Sequence, residues 1–133
     1  MDELEKMIDD LIEIFKSPKI MKFIHLPVES GSDKVLKDMN RPYKIKIYEE
    51  LVKKVRKAVP DVYLATDIIV GFPTETEEDF QKTVDILQKT KPDKVNLSKF
   101  YPRPNTEAKK FKQLSTQIKK KRSVALSRII NKY

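Results

Sequence analysis

Apolar positions along the chain fall into short blocks with two different spacings, and the two kinds of block alternate. Leu4, Met7, Ile8, Leu11, Ile12 and Phe15 recur every three or four residues, which predicts an amphipathic helix over Asp2–Lys16. Asp2, Glu3 and Glu5 stand in its first turn, where the helix dipole favours negative charge, and Ser17-Pro18 ends it. Ile20–Leu26 is short, apolar and closed by Pro27, and reads as a buried strand ending near His25 or Leu26. Ser32–Met39 reads as a short helix capped by Ser32 or Asp33 and broken by Arg41-Pro42. Lys44–Val59 carries Ile47, Leu51, Val52 and Val55 on one face, a helix ending before Pro60. Val62–Val70 is almost continuously apolar, the pattern of a strand covered on both faces, and Gly71-Phe72-Pro73 stops it. Thr76 followed by Glu77, Glu78 and Asp79 starts another helix, whose stripe of Phe80, Val84 and Leu87 runs to about Gln88. Lys94–Tyr101 is a third strand, closed by Pro102 and Pro104. Leu114, Ile118, Ala125, Leu126, Ile129 and Ile130 outline a last helix that Ser115 can cap.

The order α-β-α-α-β-α-β-α predicts an α/β fold of parallel βα units with right-handed crossovers. Three strands with two open edges are thin for a whole domain of this class. The pattern reads better as a piece of a larger parallel sheet or barrel, and the open edge of the first strand makes edge-to-edge self-association an expectation.

Composition narrows this further. A chain of 133 residues is expected to be one domain. It contains no cysteine, which excludes disulfides and thiolate-bound zinc or iron–sulfur clusters held by this chain. No apolar run approaches the roughly 20 residues of a membrane span, and the start, Met1-Asp2-Glu3-Leu4, lacks a signal peptide's basic and apolar regions. A cytoplasmic protein without membrane partners is expected. The net charge of +8 is unevenly placed: all 20 acidic residues lie in 1–107, beside 19 basic ones, whereas 108–133 hold nine basic residues and no acid. The chain is therefore divided into a near-neutral α/β part, 1–107, and a basic C-terminal helix, 108–133. The run Lys119, Lys120, Lys121 and Arg122 is either a solvated helix face or a phosphate-contacting one.

In parallel α/β folds ligands bind at the carboxyl ends of the strands. Both glycines, Gly31 and Gly71, fall in the loops there, where they serve either turns or close approach to a ligand. Asp67 is a carboxylate within an apolar strand and needs hydrogen-bond partners or water; it either caps a neighbouring loop or faces a ligand. His25 stands at a strand end without a second histidine and reads as a half-buried, hydrogen-bonded side chain. Glu77, Glu78 and Asp79 read as dipole partners of their helix, while Glu75, just before it, is placed to face a ligand.

Four blocks in order then form a signature. His25-Leu-Pro-Val-Glu-Ser-Gly-Ser-Asp33, Met39-Asn-Arg-Pro-Tyr43, Thr66-Asp-Ile-Ile-Val-Gly-Phe-Pro-Thr-Glu-Thr76 and Phe100-Tyr-Pro-Arg-Pro-Asn-Thr106 resemble the methylthiotransferase branch of the radical S-adenosylmethionine (SAM) enzymes. The basic tail ending in Leu126-Ser-Arg128 is most similar to the archaeal and eukaryotic tRNA type, which adds a methylthio group to N6-threonylcarbamoyladenosine beside the anticodon. The resemblance implies the second half of a partial (β/α)6 TIM-like barrel, strands four to six, with the tail leading toward a tRNA-gripping TRAM domain. It also implies that the cysteines binding the [4Fe–4S] clusters lie in other segments of the family's chains, so this chain is expected to be an excised piece, inactive alone. By the same resemblance Glu29 and Ser30 meet the ribose or methionine end of SAM. Asp67, Ile69 and Gly71 pack on the adenine and position the sugar, and Phe100, Tyr101 and Pro102 meet the adenine edge. Arg41 and Arg103 are implied contacts to a carboxylate or to tRNA phosphate, with Lys119, Lys120, Lys121 and Arg122 as further tRNA contacts. The sequence departs from the family pattern at Glu29, usually Gln, and at Thr74 and Asn105, usually Gly. A non-catalytic basic RNA-binding module and a part of another radical SAM enzyme are the alternatives.

Overall fold

The computed structural model describes residues 2–102 and 112–132, with backbone alone for 2–4. Its elements follow the predicted order: α1 Asp2–Phe15, β1 Phe23–His25, α2 Asp33–Asp38, α3 Ile45–Ala58, β2 Tyr63–Val70, α4 Glu77–Thr90, β3 Lys94–Lys99 and α5 Thr116–Ile130. The strands form one sheet in the order β1-β2-β3, and both pairs are parallel. His25 lies opposite Ala65, and Asp67 opposite Asn96. Across one face the helices pack side by side, α1 on α3, α3 on α4 and α4 on α5.

The helix ends follow local chemistry. Ser32 Oγ accepts from Val35 N at the start of α2, and Ser115 Oγ accepts from Ile118 N at the start of α5. Thr76 and Asp79 form a reciprocal capping box at the start of α4. Lys44, before α3, has no capping side chain; instead Asp33 Oδ1 accepts from Ile45 N at 2.8 Å, tying α2 to α3.

The core lies between the helices and one face of the sheet. Ile24, Leu64, Ile68 and Val70 project into it from the strands and meet Ile8 and Phe15 of α1, Leu51, Val52 and Val55 of α3, Val84 and Leu87 of α4, and Leu126 of α5. Burying each such side chain contributes about 1.5–3 kcal/mol.

Two strand expectations need correction. The first strand is three residues long, not seven, and its two faces alternate between exposed and buried. Ile20 closes the turn after α1, its N–H donating to Ser17 O, and Met21 is 81% exposed, because the ladder with β2 begins only at Phe23 opposite Tyr63. Pro27 then interrupts the ladder, having no N–H. The buried hydroxyl of Thr66 fills the gap, donating to Leu26 O at 2.9 Å and accepting from Val28 N at 3.0 Å, and pairing resumes at Glu29 and Ile68. β2 is likewise not covered on both faces: Tyr63, Asp67 and Ile69 project toward a more open face, where Ile69 packs against the small cluster of Val35 of α2, Met39 and Phe72. That open face continues through Phe23 and His25 on β1 and Lys94, Asn96 and Ser98 on β3.

Candidate binding face at the carboxyl ends of the strands

The open face carries a polar cluster at its centre. His25 Nε2 lies 2.9 Å from Asp67 Oδ1, and Asn96 Nδ2 donates to the same oxygen at 2.9 Å. The small side chain of Ala65, opposite His25, leaves room for the imidazole to reach diagonally to Asp67. Desolvation pushes the Asp67 pKa up, but the hydrogen bonds from Asn96 and His25 outweigh it, and the group ends below its ordinary value. An ionised carboxylate only accepts, so Nε2 carries the proton of this hydrogen bond. Both side chains are about two-fifths exposed (41% and 36%), so the cluster opens onto the face. Asp67 is therefore held by side chains of the two neighbouring strands and caps no loop. Asn96 escaped the sequence reading, although the alternation of Lys94, Asn96 and Ser98 with Val95 and Leu97 carries the signal.

Glu29 and Arg41 come together. Arg41 grips both carboxylate oxygens of Glu29, through Nε and through Nη2 at 3.1 Å, and Tyr43 Oη donates to the same carboxylate at 3.3 Å. Desolvation and the neighbouring Glu29 raise the Tyr43 pKa, keeping the phenol a donor. Glu29 holds a left-handed backbone, φ 66°, while its N–H donates to Asp67 O and its carbonyl accepts from Ile69 N. The departure from glutamine thus comes with its own counter-ion, and Arg41 is occupied by that pairing.

Ser30 lies elsewhere than its expected role requires. It is fully buried, its Oγ accepting from Ser32 N and lying 3.5 Å from Thr83 Oγ1 of α4. Thr83 Oγ1 also accepts from Gly31 N at 2.9 Å, and Ser32 Oγ donates to Asp79 Oδ1 at 2.8 Å. A Cβ on Gly31 would fall 2.3 Å from the carbonyl oxygen of Lys82. The Ser-Gly-Ser segment therefore fastens the β1–α2 loop to α4, and the Ser30 hydroxyl faces inward. Lys34 completes this junction, pairing with Asp79 at 2.7 Å. Desolvation works against the Asp79 charge, but hydrogen bonds from Lys34, Thr76 and Ser32 hold its pKa far below the carboxylate range.

The loop after β2 is tied to α5. Gly71, at φ 79°, donates its N–H to Glu75 Oε1 at 2.9 Å, and a Cβ there would fall 2.4 Å from Lys119 Cγ. Glu75 does not face a ligand: it is buried, and Arg122 Nη1 donates to its Oε1 at 2.8 Å and to its carbonyl at 3.0 Å. Burial raises the Glu75 pKa, although Gly71 and Arg122 pull the other way. Arg122 also reaches Glu77 at 3.0 Å. Lys119 Nζ donates to Phe100 O at 2.7 Å and lies 5.2 Å from the centre of the exposed Tyr101 ring. Phe100 N donates to Val70 O, and its ring stands edge-on to Phe72. Both main-chain groups of Phe100 are thus already engaged. Pro102 is half-buried beside them, and Arg103 and Asn105 lie outside the described residues.

The basic run therefore divides. Lys119 and Arg122, three residues apart, point into the protein with Leu126, whereas Lys120 and Lys121 face solvent. The inward pair stands where the apolar stripe lapses between Ile118 and Ala125, a gap visible in the sequence.

What remains open is a wall with the acceptor carboxylate of Asp67, the imidazole of His25, apolar surface from Ile69, and the exposed ring of Tyr101. Such a wall suits a ligand with hydroxyl and amino donors and a flat apolar part. Among the described residues no group of three His, Cys, Asp or Glu side chains is placed to hold a metal ion.

Comparisons with known proteins give the family of the chain. The "Probable threonylcarbamoyladenosine tRNA methylthiotransferase" of Pyrococcus abyssi is 51% identical over 124 residues, 93% of this chain and 29% of that protein. The human "Threonylcarbamoyladenosine tRNA methylthiotransferase" is 40% identical over 126 residues, 95% of this chain and 22% of that protein. The chain thus spans less than a third of the length of these curated relatives. Among solved structures, coproporphyrinogen III oxidase from Escherichia coli, described as a radical SAM enzyme, superimposes with a TM-score of 0.70 at 19% identity, over 90% of this chain and 29% of that one. That likeness establishes the shared fold. The model of the radical SAM superfamily matches residues 2–87, more than half of the sequence, and the chain belongs to that superfamily.

Proposed function

We propose that the chain forms the carboxyl-terminal wall of the SAM-binding barrel of a tRNA methylthiotransferase that modifies N6-threonylcarbamoyladenosine beside the anticodon. The observation that carries the reading is the 40–51% identity to proteins of that name, spread over 93–95% of this chain. Residues 1–107 would supply half of the barrel, and 108–133 the basic segment that contains α5.

The open face suits the adenosine part of SAM. Asp67, ionised and fixed by Asn96, would accept from the ribose hydroxyls, and Ile69 with the Gly71 turn would pack on the base. The His25 imidazole offers one more polar group on the same wall. Glu29 would act mainly through its hold on Arg41 and Tyr43, and Tyr101 and Pro102 would border the base. Ser30 and Phe100 would shape the wall, their polar groups being turned inward or engaged. Arg103, Lys120 and Lys121 would face the tRNA, with the free edge of Arg41.

The chain has no cysteine, so its residues do not fit a [4Fe–4S] cluster, and no step of the reaction is assigned to this chain alone. In the whole enzyme the cluster, bound by other segments, would supply the electron that cleaves SAM. The cytoplasm, where such tRNA substrates reside, would be the location; no described helix is long and apolar enough to cross a membrane.

The test is a graft. In the Pyrococcus abyssi protein the matching segment is replaced by this chain, the clusters are reconstituted, and modified nucleosides are measured by mass spectrometry. The expected result is 2-methylthio-N6-threonylcarbamoyladenosine in substrate tRNA. A graft with full clusters that leaves this nucleoside unmodified would contradict the reading.

A further inference from the structure

α2, the turn after it and the start of α3 border a groove of about 470 Å³ beyond the carboxyl end of β1. Lys34, Lys37, Arg41 and Lys44 line it, with Asp33 as the one acid beside them. All four basic residues are exposed, while Asp33 Oδ1 is engaged by Ile45 N. Asp38, the next acid along α2, accepts from Thr74 Oγ1 at 2.6 Å. Lys34 pairs with Asp79 and Arg41 with Glu29, whereas among the described residues Lys37 and Lys44 pair with no carboxylate. The groove therefore presents a surplus of positive charge that the surrounding side chains leave unbalanced.

The backbone around the groove is braced. Asn40 takes a left-handed conformation, φ 61°, and closes α2 with two bonds, Asn40 N donating to Lys37 O and Arg41 N to Leu36 O, both at 2.9 Å. The Tyr43 hydroxyl fastens the following residues to the loop after β1, 3.2 Å from Val28 O and 3.3 Å from the Glu29 carboxylate. Pro42 and the half-buried Tyr43 add flat apolar surface to the same groove. Basic side chains beside an aromatic ring suit a single-stranded nucleic acid, whose phosphates meet the charges and whose sugars or bases pack on the ring. All of these parts belong to one βα unit, so the groove depends on neither end of the chain.

We propose that this groove holds the phosphate backbone of the RNA substrate, with Lys37 and Lys44 as phosphate contacts. Arg41 joins the groove to the open wall: it lines the one and grips Glu29, whose N–H donates to Asp67 O, at the other. A strand lying in the groove therefore runs beside the wall and brings a nucleotide next to it. Charge and the aromatic floor select a single-stranded polyanion; the choice of tRNA rests on the function proposed above.

The test uses the grafted Pyrococcus abyssi enzyme with its clusters, and tRNA carrying N6-threonylcarbamoyladenosine as the probe. Lys37→Gln/Lys44→Gln removes the two unpaired charges and spares the start of α3, since Lys44 makes no side-chain cap. Lys53→Gln/Lys57→Gln removes the same charge from exposed positions of α3 outside the groove. The groove variant should bind tRNA about tenfold or more weakly, with a slope of log affinity against log salt shallower by about 1 for each lysine. Its SAM affinity should equal that of the unaltered graft. Lys37→Arg/Lys44→Arg, which keeps the charge, should restore tRNA binding, and the α3 variant should match the unaltered graft throughout. Thermal melts confirm that each variant is folded. A groove variant that binds tRNA as tightly and with the same salt slope as the α3 variant, or one that loses SAM affinity in equal measure, would overturn the inference. Nucleoside analysis of the unaltered graft decides the proposed function separately. A graft that leaves the tRNA unmodified but binds it through Lys37 and Lys44 would remove the enzymatic reading and keep the groove.

Discussion

Arg122 Nη1 lies 2.8 Å from Glu75 Oε1 in the interior, joining the last helix to the loop that follows the central strand. The pair fixes where Gly71 turns, because the same carboxylate oxygen accepts the Gly71 N–H. A residue that looks like part of an RNA-contacting run thus works as a buried brace for the candidate binding face.

Removing one partner leaves a buried charge unpaired. Arg122→Met is expected to cost about 3–5 kcal/mol of stability, and Glu75→Gln less, because a neutral amide still accepts from Gly71. The double variant should cost clearly less than the two singles together. Urea denaturation of the four proteins measures this; additive effects would show that the two side chains do not act as a pair.

The glycines differ in what surrounds them. At Gly71 an alanine meets the side-chain stem of the buried Lys119 and a left-handed backbone, at a cost of about 1–2 kcal/mol. At Gly31 it meets the backbone of α4, and the expected cost is about 3 kcal/mol or more. Denaturation midpoints should rank Gly31→Ala below Gly71→Ala. The reverse order would mean that the β1–α2 loop is not held against α4 as described.

Asp79 makes stability depend on acid. Its pKa is depressed in the folded state, so its contribution is complete above the ordinary carboxylate value of about 3.9 and is lost as pH falls toward the folded value. Asp79→Asn should therefore be less stable at neutral pH, by about 1–3 kcal/mol, and should show a flatter decline below about pH 5 than the wild type. Unfolding curves at a series of pH values check this. Parallel declines would remove Asp79 from the account.

Much of the architecture was legible in the sequence because the helices and strands alternate with clear periods and strong stops. Thr76 with Asp79, Ser32 and Ser115 announced helix starts that the structure contains. The open face was less legible. The run of Val62–Val70 is apolar enough for a strand covered on both sides, and only Asp67 and Tyr63 reveal that one side is more open. The fate of Ser30, Glu75, Lys119 and Arg122 was not legible at all from motif position. Their partners lie on other elements, 47 residues away for Arg122 and Glu75, and residue type alone does not tell a buried brace from a solvent-facing contact. His25 was read as hydrogen-bonded, and its partner proved to be Asp67.

The central claim is that the open face, with Asp67 at its centre, is a wall of the SAM site. The most direct test is the yield of 5′-deoxyadenosine from SAM by the grafted Pyrococcus abyssi enzyme, compared between the unaltered graft and Asp67→Ala, both with full clusters. The account predicts release by the unaltered graft and a loss of about tenfold or more in Asp67→Ala through weakened SAM binding, equivalent to about 1.4 kcal/mol. Equal release and equal SAM affinity in the two proteins would contradict it.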